Sequence, residues 1–98
     1  MMRTVVGLLW EAAGFHVEDL DHYSDAFVRA VPGGGEIIVG VDLGGGSRLP
    51  VSVDEPVTVE MRDGANLGTW KVERCRTSFE ALEMVSREMQ RAVLGGAR

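Results

Sequence analysis

The stretch from Pro56 to Leu94 constrains the fold of this chain more than any other part of its sequence. Residues 57–62 alternate apolar and polar side chains, which is the period-2 pattern of a half-buried strand. Residues 63–66, Asp-Gly-Ala-Asn, are typical of a turn, because Gly and Asn tolerate positive φ and Asp bonds its own backbone. Residues 69–75 have the composition of a return strand, so this part of the chain predicts a β-hairpin.

A helix is predicted to follow this hairpin. Thr77 and Glu80 have the T-x-x-E spacing of a capping box, in which both side chains satisfy backbone N–H groups at the helix start. Gly95 and Gly96 are typical of a helix end. The apolar residues expected to form one buried face are Phe79, Leu82, Val85, Met89, Ala92 and Val93. Met84 falls opposite this stripe, so we expect its side chain to be exposed.

Residues 2–13 predict a second helix, with an apolar arc that is unusually wide. Gly14 is a candidate for the left-handed residue after the helix, and Phe15 is placed to pack back on the last turn, as in a Schellman ending. The wide arc leaves two interpretations open. Either the helix packs across a sheet, or part of it, Trp10 above all, contacts a second chain.

Residues 23–31 fit the spacing of a helix and of a strand about equally well. Residues 32–35 then form a Pro-Gly turn into residues 36–42, whose β-branched content predicts a strand. A hairpin between residues 25–31 and 36–42 keeps consecutive elements adjacent, so the strand interpretation is favoured for this segment.

The order of the predicted elements defines the fold class. Val51 and Val53 alternate with polar residues, which predicts a short or edge strand between the two hairpins. The 98 residues suffice for one hydrophobic core, and neither a linker nor an internal repeat divides them. We therefore expect a small single α+β domain over residues 1–98, with an antiparallel sheet of four to five strands and an N-terminal and a C-terminal helix packed on one face.

Charge is unevenly distributed along the chain. The net charge is −5, and residues 1–55 hold nine acids against three arginines, or −6. Residues 56–98 hold six acids against seven bases, or +1. The acidic half argues against broad nucleic-acid binding, which needs clustered Lys and Arg to displace counterions. It suits a protein partner with a basic surface.

Cysteine content and hydropathy bound the expected location. The single cysteine, Cys75, excludes an intramolecular disulfide, which fits a reducing compartment, and its strand context predicts a packed thiol. No apolar run approaches the roughly 18 residues of a membrane span. We therefore expect a cytoplasmic protein with no membrane association.

Residues 16–25 are rich in side chains that could contact a partner. Several are ligand types for metal ions, but their spacing matches no metal-binding signature, so we expect no metal site. We predict instead that this acidic segment binds a basic protein. The predicted contacts are Glu18, Asp19, Asp21 and Asp25, with Trp10 as an apolar contact.

An alternative surface for an anionic partner uses four bases, which are Arg62, Lys71, Arg74 and Arg76. These bases come from two paired strands, and a solvated sheet face is the other interpretation of them. The order of helix, antiparallel strands and helix resembles a double-stranded-RNA-binding domain, which implies nucleic-acid binding. Such domains carry a lysine cluster at the start of their second helix. This chain has Thr77-Ser78-Phe79-Glu80 there, which argues against RNA.

The residues Asp42–Ser47 resemble the D-[LI]-G-G-G-[ST] phosphate-binding loop of the actin-like ATPase superfamily. In that superfamily, glycines let backbone amides approach the phosphates. The resemblance covers six residues, and this chain is too short for the two large lobes of such an ATPase. We therefore expect a flexible hairpin loop.

The sequence contains no constellation typical of an enzyme. No nucleophile lies at an elbow or a helix start, and nothing apolar would raise the pKa of one carboxyl in the pair Asp21 and Asp25. We expect a non-catalytic module without a cofactor. The favoured function is an acidic, protein-binding inhibitor or accessory factor, for example one from a mobile element or phage. The alternatives are a homo-oligomeric structural subunit, such as a homodimer, and a nucleic-acid-binding domain.

Overall fold

The structure is a computed structural model, and it describes residues 4–20, 24–62 and 69–94. The helices and strands are α1 (Val5–Ala12), β1 (His16–Asp19), β2 (Asp25–Ala30), β3 (Glu36–Asp42), β4 (Ser47–Arg48), β5 (Val57–Arg62), β6 (Thr69–Cys75) and α2 (Ser78–Leu94). The predicted turn at residues 63–66 and the glycines at 95 and 96 lie outside the described residues. In the described ranges, neither helix is long and apolar enough to cross a membrane.

The strands form one antiparallel sheet in the order β1-β2-β3-β5-β6, and β4 pairs with the end of β3. Apart from β4, neighbours in the sheet are consecutive along the chain, so the sheet is a meander with β1 and β6 at its edges. The strand interpretation of the ambiguous segment is confirmed, because Phe27 of β2 lies opposite Val39 of β3. The acidic segment also contributes a strand, β1.

One face of the sheet carries both helices and the main core. Phe27, Val39 and Val59 lie on this face in three neighbouring strands and are almost completely buried. The helical members of the same cluster are Val6 and Trp10 from α1 and Ala81, Met84 and Val85 from α2. Burying a large apolar side chain stabilises a fold by roughly 1.5–3 kcal/mol. The predicted α+β fold with two helices on one side of an antiparallel sheet is therefore confirmed.

The opposite side of the sheet, which we call the open face, has a smaller apolar cluster. Ala26, Val28 and Ile38 are buried there, and Leu20, which follows β1, packs against them. Charged side chains lie beside this cluster, since Glu60 of β5 is directly opposite Ile38. The open face is thus apolar at its centre and polar around it.

Helix α1 begins after the capping residue Thr4 and has the ending that its sequence predicts. Gly14 has φ 92°, and its N–H donates to the carbonyl of Glu11 at 3.0 Å. The N–H of Phe15 donates to the carbonyl of Trp10 at 3.0 Å, which completes a Schellman motif. The Phe15 ring packs edge-on against Trp10, with ring centroids 4.9 Å apart. Both the ending and the return packing of Phe15 are confirmed.

Helix α2 uses the predicted capping residues. Thr77 Oγ1 accepts the N–H of Glu80 at 3.1 Å. The Glu80 carboxylate accepts the N–H of Arg76 at 3.3 Å, one residue earlier than in a regular capping box. Two backbone donors at the helix start are thereby satisfied by side chains.

The buried face of α2 is rotated away from the predicted one. Phe79 is 57% exposed and Val93 is 65% exposed, whereas Met84 is only 4% exposed. The prediction was therefore wrong for these three side chains. The physical reason lies at the helix start, where Ser78 Oγ accepts a hydrogen bond from Trp10 Nε1 at 3.0 Å. That buried contact turns the Ser78 side of the helix toward the core.

Residues 51–55 form turns rather than the short strand predicted from Val51 and Val53. Val51 is exposed, and its N–H donates to Glu55 Oε2 at 3.0 Å. The Arg48 guanidinium donates to the other carboxylate oxygen of Glu55. The Glu55 carboxylate thus accepts the Val51 N–H, which in a sheet would donate to a neighbouring strand. The segment therefore curls around this carboxylate. The Arg48 hydrogen bond, followed by that of Val51, holds the pKa of Glu55 below its ordinary value.

Candidate protein-binding surfaces

The acidic residues predicted to contact a partner lie at one edge of the sheet. Glu18 and Asp19 belong to the edge strand β1, and Asp25 begins β2. Asp19 and Asp25 are exposed, and the Glu18 side chain is 44% exposed. We call Glu18, Asp19 and Asp25 the acidic surface. Asp21, the remaining acid of the prediction, lies outside the described residues.

The pairing of β1 with β2 determines how these acids are arranged. Asp19 is directly opposite Asp25, so their carboxylates share one face of the sheet. Glu18 is opposite Ala26 and lies on the open face, where its Oε2 is 2.5 Å from His16 Nε2. Directly opposed side chains in an antiparallel pair have Cβ atoms about 4.5–5.5 Å apart. The Asp19–Asp25 pair therefore concentrates negative charge at one position.

Polar contacts hold this edge of the sheet in place. The N–H of Leu20 donates to the carbonyl of Ser24 at 2.7 Å, which closes the β1–β2 connection. The Ser47 hydroxyl donates to the carbonyl of Asp25 at 3.1 Å, and the Ser47 N–H donates to Ser24 Oγ at 3.2 Å. Because its backbone is already fixed, the Asp25 carboxylate needs little further ordering to bind a partner.

Trp10, predicted as an apolar contact, is not part of this surface. Its side chain is 0% exposed and stacks on Phe27, with ring centroids 6.1 Å apart. Its indole N–H is satisfied inside the protein by Ser78. The expectation that Trp10 contacts a second chain is corrected, because this ring fills the space between the two helices and the sheet. Burial in the core removes a large apolar area from water.

The four bases of the alternative patch do not share one surface. Lys71 lies opposite Met61, on the face that carries the helices, and its Nζ is 3.0 Å from a carboxylate oxygen of Glu88 in α2. Arg74 lies opposite Thr58, on the open face. The sheet itself therefore separates two of the four positive charges.

Acidic neighbours accompany the bases of the open face. Arg62 Nε lies 2.9 Å from Glu60 Oε2, and Arg74 Nη2 lies 3.9 Å from Asp42 Oδ2. Arg76 is exposed just after β6. Mixed charge of this kind lowers the local positive potential, which phosphate binding depends on.

The glycine-rich residues 42–47 form the loop of the β3–β4 hairpin. The N–H of Leu43 donates to the carbonyl of Gly46 at 2.9 Å. The N–H of Gly44 donates to Asp42 Oδ1 at 2.8 Å. These two amides are thus used inside the loop. This arrangement is that of a tight turn between strands, where the residue Gly44 has φ 90°.

Cys75 is a buried free thiol, which confirms the packed thiol predicted from its strand context. Burial raises the pKa of this thiol, and the charges of Glu80 and Glu73 raise it further. Since the thiolate is the nucleophile, a raised pKa lowers the reactivity of Cys75.

Sequence reasoning missed a groove along the second half of α2. The groove, which we call the helix groove, has a volume of about 710 Å³. Its lining includes Leu82, Met89 and Val93 of α2, together with Ala13 and Arg29. The signal for it was the apolar stripe predicted on α2. The helix buries the neighbouring face instead and leaves part of that stripe to line the groove.

No protein-family model matches this chain, and comparisons with curated proteins and with solved structures found no significant similarity. In the part of the chain that the structure describes, no three His, Cys, Asp or Glu side chains are grouped closely enough to hold a metal ion.

Proposed function

We propose that this protein is a non-catalytic module that binds a basic surface of another protein through its acidic surface. The observation that carries this proposal is the exposed Asp19–Asp25 pair, two carboxylates directly opposite each other at the sheet edge. Two neighbouring carboxylates make the local potential negative, which attracts a cationic side chain of a partner.

The charge of the surrounding chain favours the same partner. Residues 1–55, which include the whole acidic surface, have a net charge of −6. An excess of one sign steers a partner of opposite sign and raises its association rate. An inhibitor or accessory factor of a nucleic-acid-binding protein would use such a surface, because its target already carries a basic patch. We therefore propose that this protein is an inhibitor or accessory factor of this kind.

The test is affinity capture followed by charge reversal. The wild-type protein is used to capture partners from a lysate, and the dissociation constant of the captured protein is then measured against salt concentration. Replacing Asp19→Lys and Asp25→Lys together should weaken binding and flatten its salt dependence, since both come from the same charges.

A matched control changes the same amount of charge elsewhere. Asp54 and Glu83 are exposed acids away from the acidic surface, so the double variant Asp54→Lys with Glu83→Lys has the same net charge. It should bind like the wild type. Equal loss in both double variants would mean that only net charge matters, and unchanged affinity in the Asp19 and Asp25 variant would remove the acidic surface from consideration.

A second candidate function is a homo-oligomeric structural subunit. The observation that favours it is the set of large apolar side chains that the helices leave exposed, which are Val5, Leu8, Phe79, Val93 and Leu94. Exposed apolar patches mark sites of association when they are contiguous. Light scattering tests this candidate, because a protein that is strictly monomeric excludes it.

A nucleic-acid-binding role receives less support. The two best-placed bases, Lys71 and Arg74, lie on opposite faces of the sheet, and each has an acidic neighbour. A salt titration with double-stranded RNA and DNA checks this role, since phosphate contacts must weaken steeply as salt rises.

A further inference from the structure

Strand β6 forms one edge of the sheet. It has seven residues, Thr69–Cys75, and pairs with β5 along one side. No other strand in the described ranges pairs with its second side. An edge strand with unpaired N–H and C=O groups is a template for a further strand.

The side chains at the centre of β6 have a self-complementary pattern. Val72 is the fourth of the seven residues and is 57% exposed on the open face, opposite Glu60 of β5. Lys71 and Glu73 flank it and lie together on the other face, with Nζ and Oε1 4.0 Å apart. The strand therefore has one base and one acid at equal distances from its midpoint.

We propose that β6 pairs with β6 of a second copy of this chain, antiparallel, about a twofold axis at Val72. This register uses all seven residues of the strand. It places Lys71 opposite the partner subunit's Glu73, and Glu73 opposite the partner subunit's Lys71. In an interface with twofold symmetry each contact occurs twice, so two ion pairs form. Opposite charges in directly opposed positions stabilise a strand pair.

Charge also selects this register over its neighbours. If the axis moved by one residue, either Lys71 or Glu73 would lie opposite its own copy, and like charges would meet. The charged residues of β6 thus discourage pairing with most strands, as is usual at sheet edges, and favour pairing with an identical one.

The two sheets present matching faces in this pairing. A twofold axis perpendicular to the sheet keeps both helix-bearing faces on the same side, so the two sheets continue into one. Lys71 Nζ is 3.0 Å from Glu88 Oε1 of α2 and 4.0 Å from Glu73 Oε1 of its own chain, and the partner subunit's Glu73 would add a third carboxylate. The acidic surface is at β1, the opposite edge of the sheet, so this inference is independent of the proposed function.

The test is a charge swap read by light scattering and sedimentation. The wild type should have twice the mass of the 10.6 kDa chain. Glu73→Lys and Lys71→Glu should each raise the dimer dissociation constant by roughly tenfold or more, because each places two pairs of like charges in contact. A one-to-one mixture of the two variants should restore a dimer, since one chain then carries two acids and the other two bases. The double variant K71E/E73K should dimerise by itself.

Glu73→Lys is the decisive variant because it should disturb the fold of the monomer less than Lys71→Glu. Glu73 is half-exposed, whereas Lys71→Glu places an acid beside Glu88 within the same chain. Circular dichroism of each variant establishes that it is folded before its mass is measured. A wild type that stays monomeric at millimolar concentration overturns the inference, as does a dimer that folded Glu73→Lys leaves unchanged. A mixture that fails to re-form dimers overturns the register. Binding through the acidic surface should be the same in Glu73→Lys and wild type.

Discussion

The hydrogen bond between Trp10 and Ser78 joins residues 68 positions apart in the sequence, and its removal should be costly. Both side chains are 0% exposed. Replacing Ser78→Ala would leave the indole N–H buried without an acceptor. An unsatisfied buried donor costs about 1–3 kcal/mol, whereas the higher helix propensity of alanine returns only a few tenths. We therefore expect the free energy of unfolding to fall by about 1–2.5 kcal/mol.

The assay is urea and thermal unfolding followed by far-ultraviolet circular dichroism. For a domain of roughly 100 residues, each kcal/mol shifts the Tm by about 4–8 °C. A double-mutant cycle with Trp10→Phe isolates the hydrogen bond from the lost ring volume. Because Trp10→Phe removes the donor as well, the two changes together should cost about 0.5–1.5 kcal/mol less than their sum.

The outcome of this cycle also decides the role of Trp10. If Ser78→Ala unfolds at the same urea concentration as wild type, the indole is not buried against Ser78, and the argument for its place in the core fails. If Trp10→Phe is as stable as wild type but loses a binding partner, Trp10 is a surface contact after all. We expect the opposite result, a loss of stability without a specific loss of binding.

Two other substitutions and one labelling experiment should have measurable results. Gly14→Ala should destabilise the protein by about 1–2 kcal/mol in urea unfolding, because Gly14 has φ 92° and a Cβ there would lie 3.1 Å from Arg29 Cζ; full wild-type stability would contradict the left-handed conformation. Glu55→Gln should lower the Tm at pH 7. The difference in Tm between variant and wild type should shrink as the pH falls below about 4.3, because a depressed carboxyl pKa stabilises the fold only above the pKa of the unfolded chain and this stabilisation is lost in acid. A difference in Tm that grows in acid would contradict this prediction. Cys75 should react with a thiol reagent only after denaturant is added, because its burial raises the pKa and blocks access; rapid labelling of the folded protein would refute this.

Local signals in the sequence determined much of the fold. The helix caps at Thr77 and Gly14 need only backbone groups within a few residues, so their chemistry is visible in a short window. Alternation along residues 57–62 likewise identified a strand and its buried side, since the period of a strand is a property of the backbone. These signals were sufficient to predict an antiparallel sheet, with one helix before its first strand and one helix after its last strand.

The faces of the helices and the surfaces of the sheet depended on contacts distant in sequence. Only the packed structure brings Trp10 to Ser78, and that contact turns Phe79 outward and Met84 inward. The curl at residues 51–55 is an exception, because the hydrogen bonds that Arg48 and Val51 donate to Glu55 join residues close in sequence. They override the alternation of the valines, and a period-2 pattern does not reveal them. The acidic segment was visible in the sequence, but its opposed carboxylates follow from strand pairing.

The contrast has one physical cause. A local hydrogen bond or a periodic pattern is specified by neighbouring residues, and a sequence therefore determines it directly. The free energy of packing the whole chain decides on which face of the sheet Lys71 and Arg74 lie. It also decides which carboxylate each of these side chains approaches. For this protein the sequence determined the helices, the strands and the acidic character of one half. The tertiary structure decided which residues are neighbours at the surface.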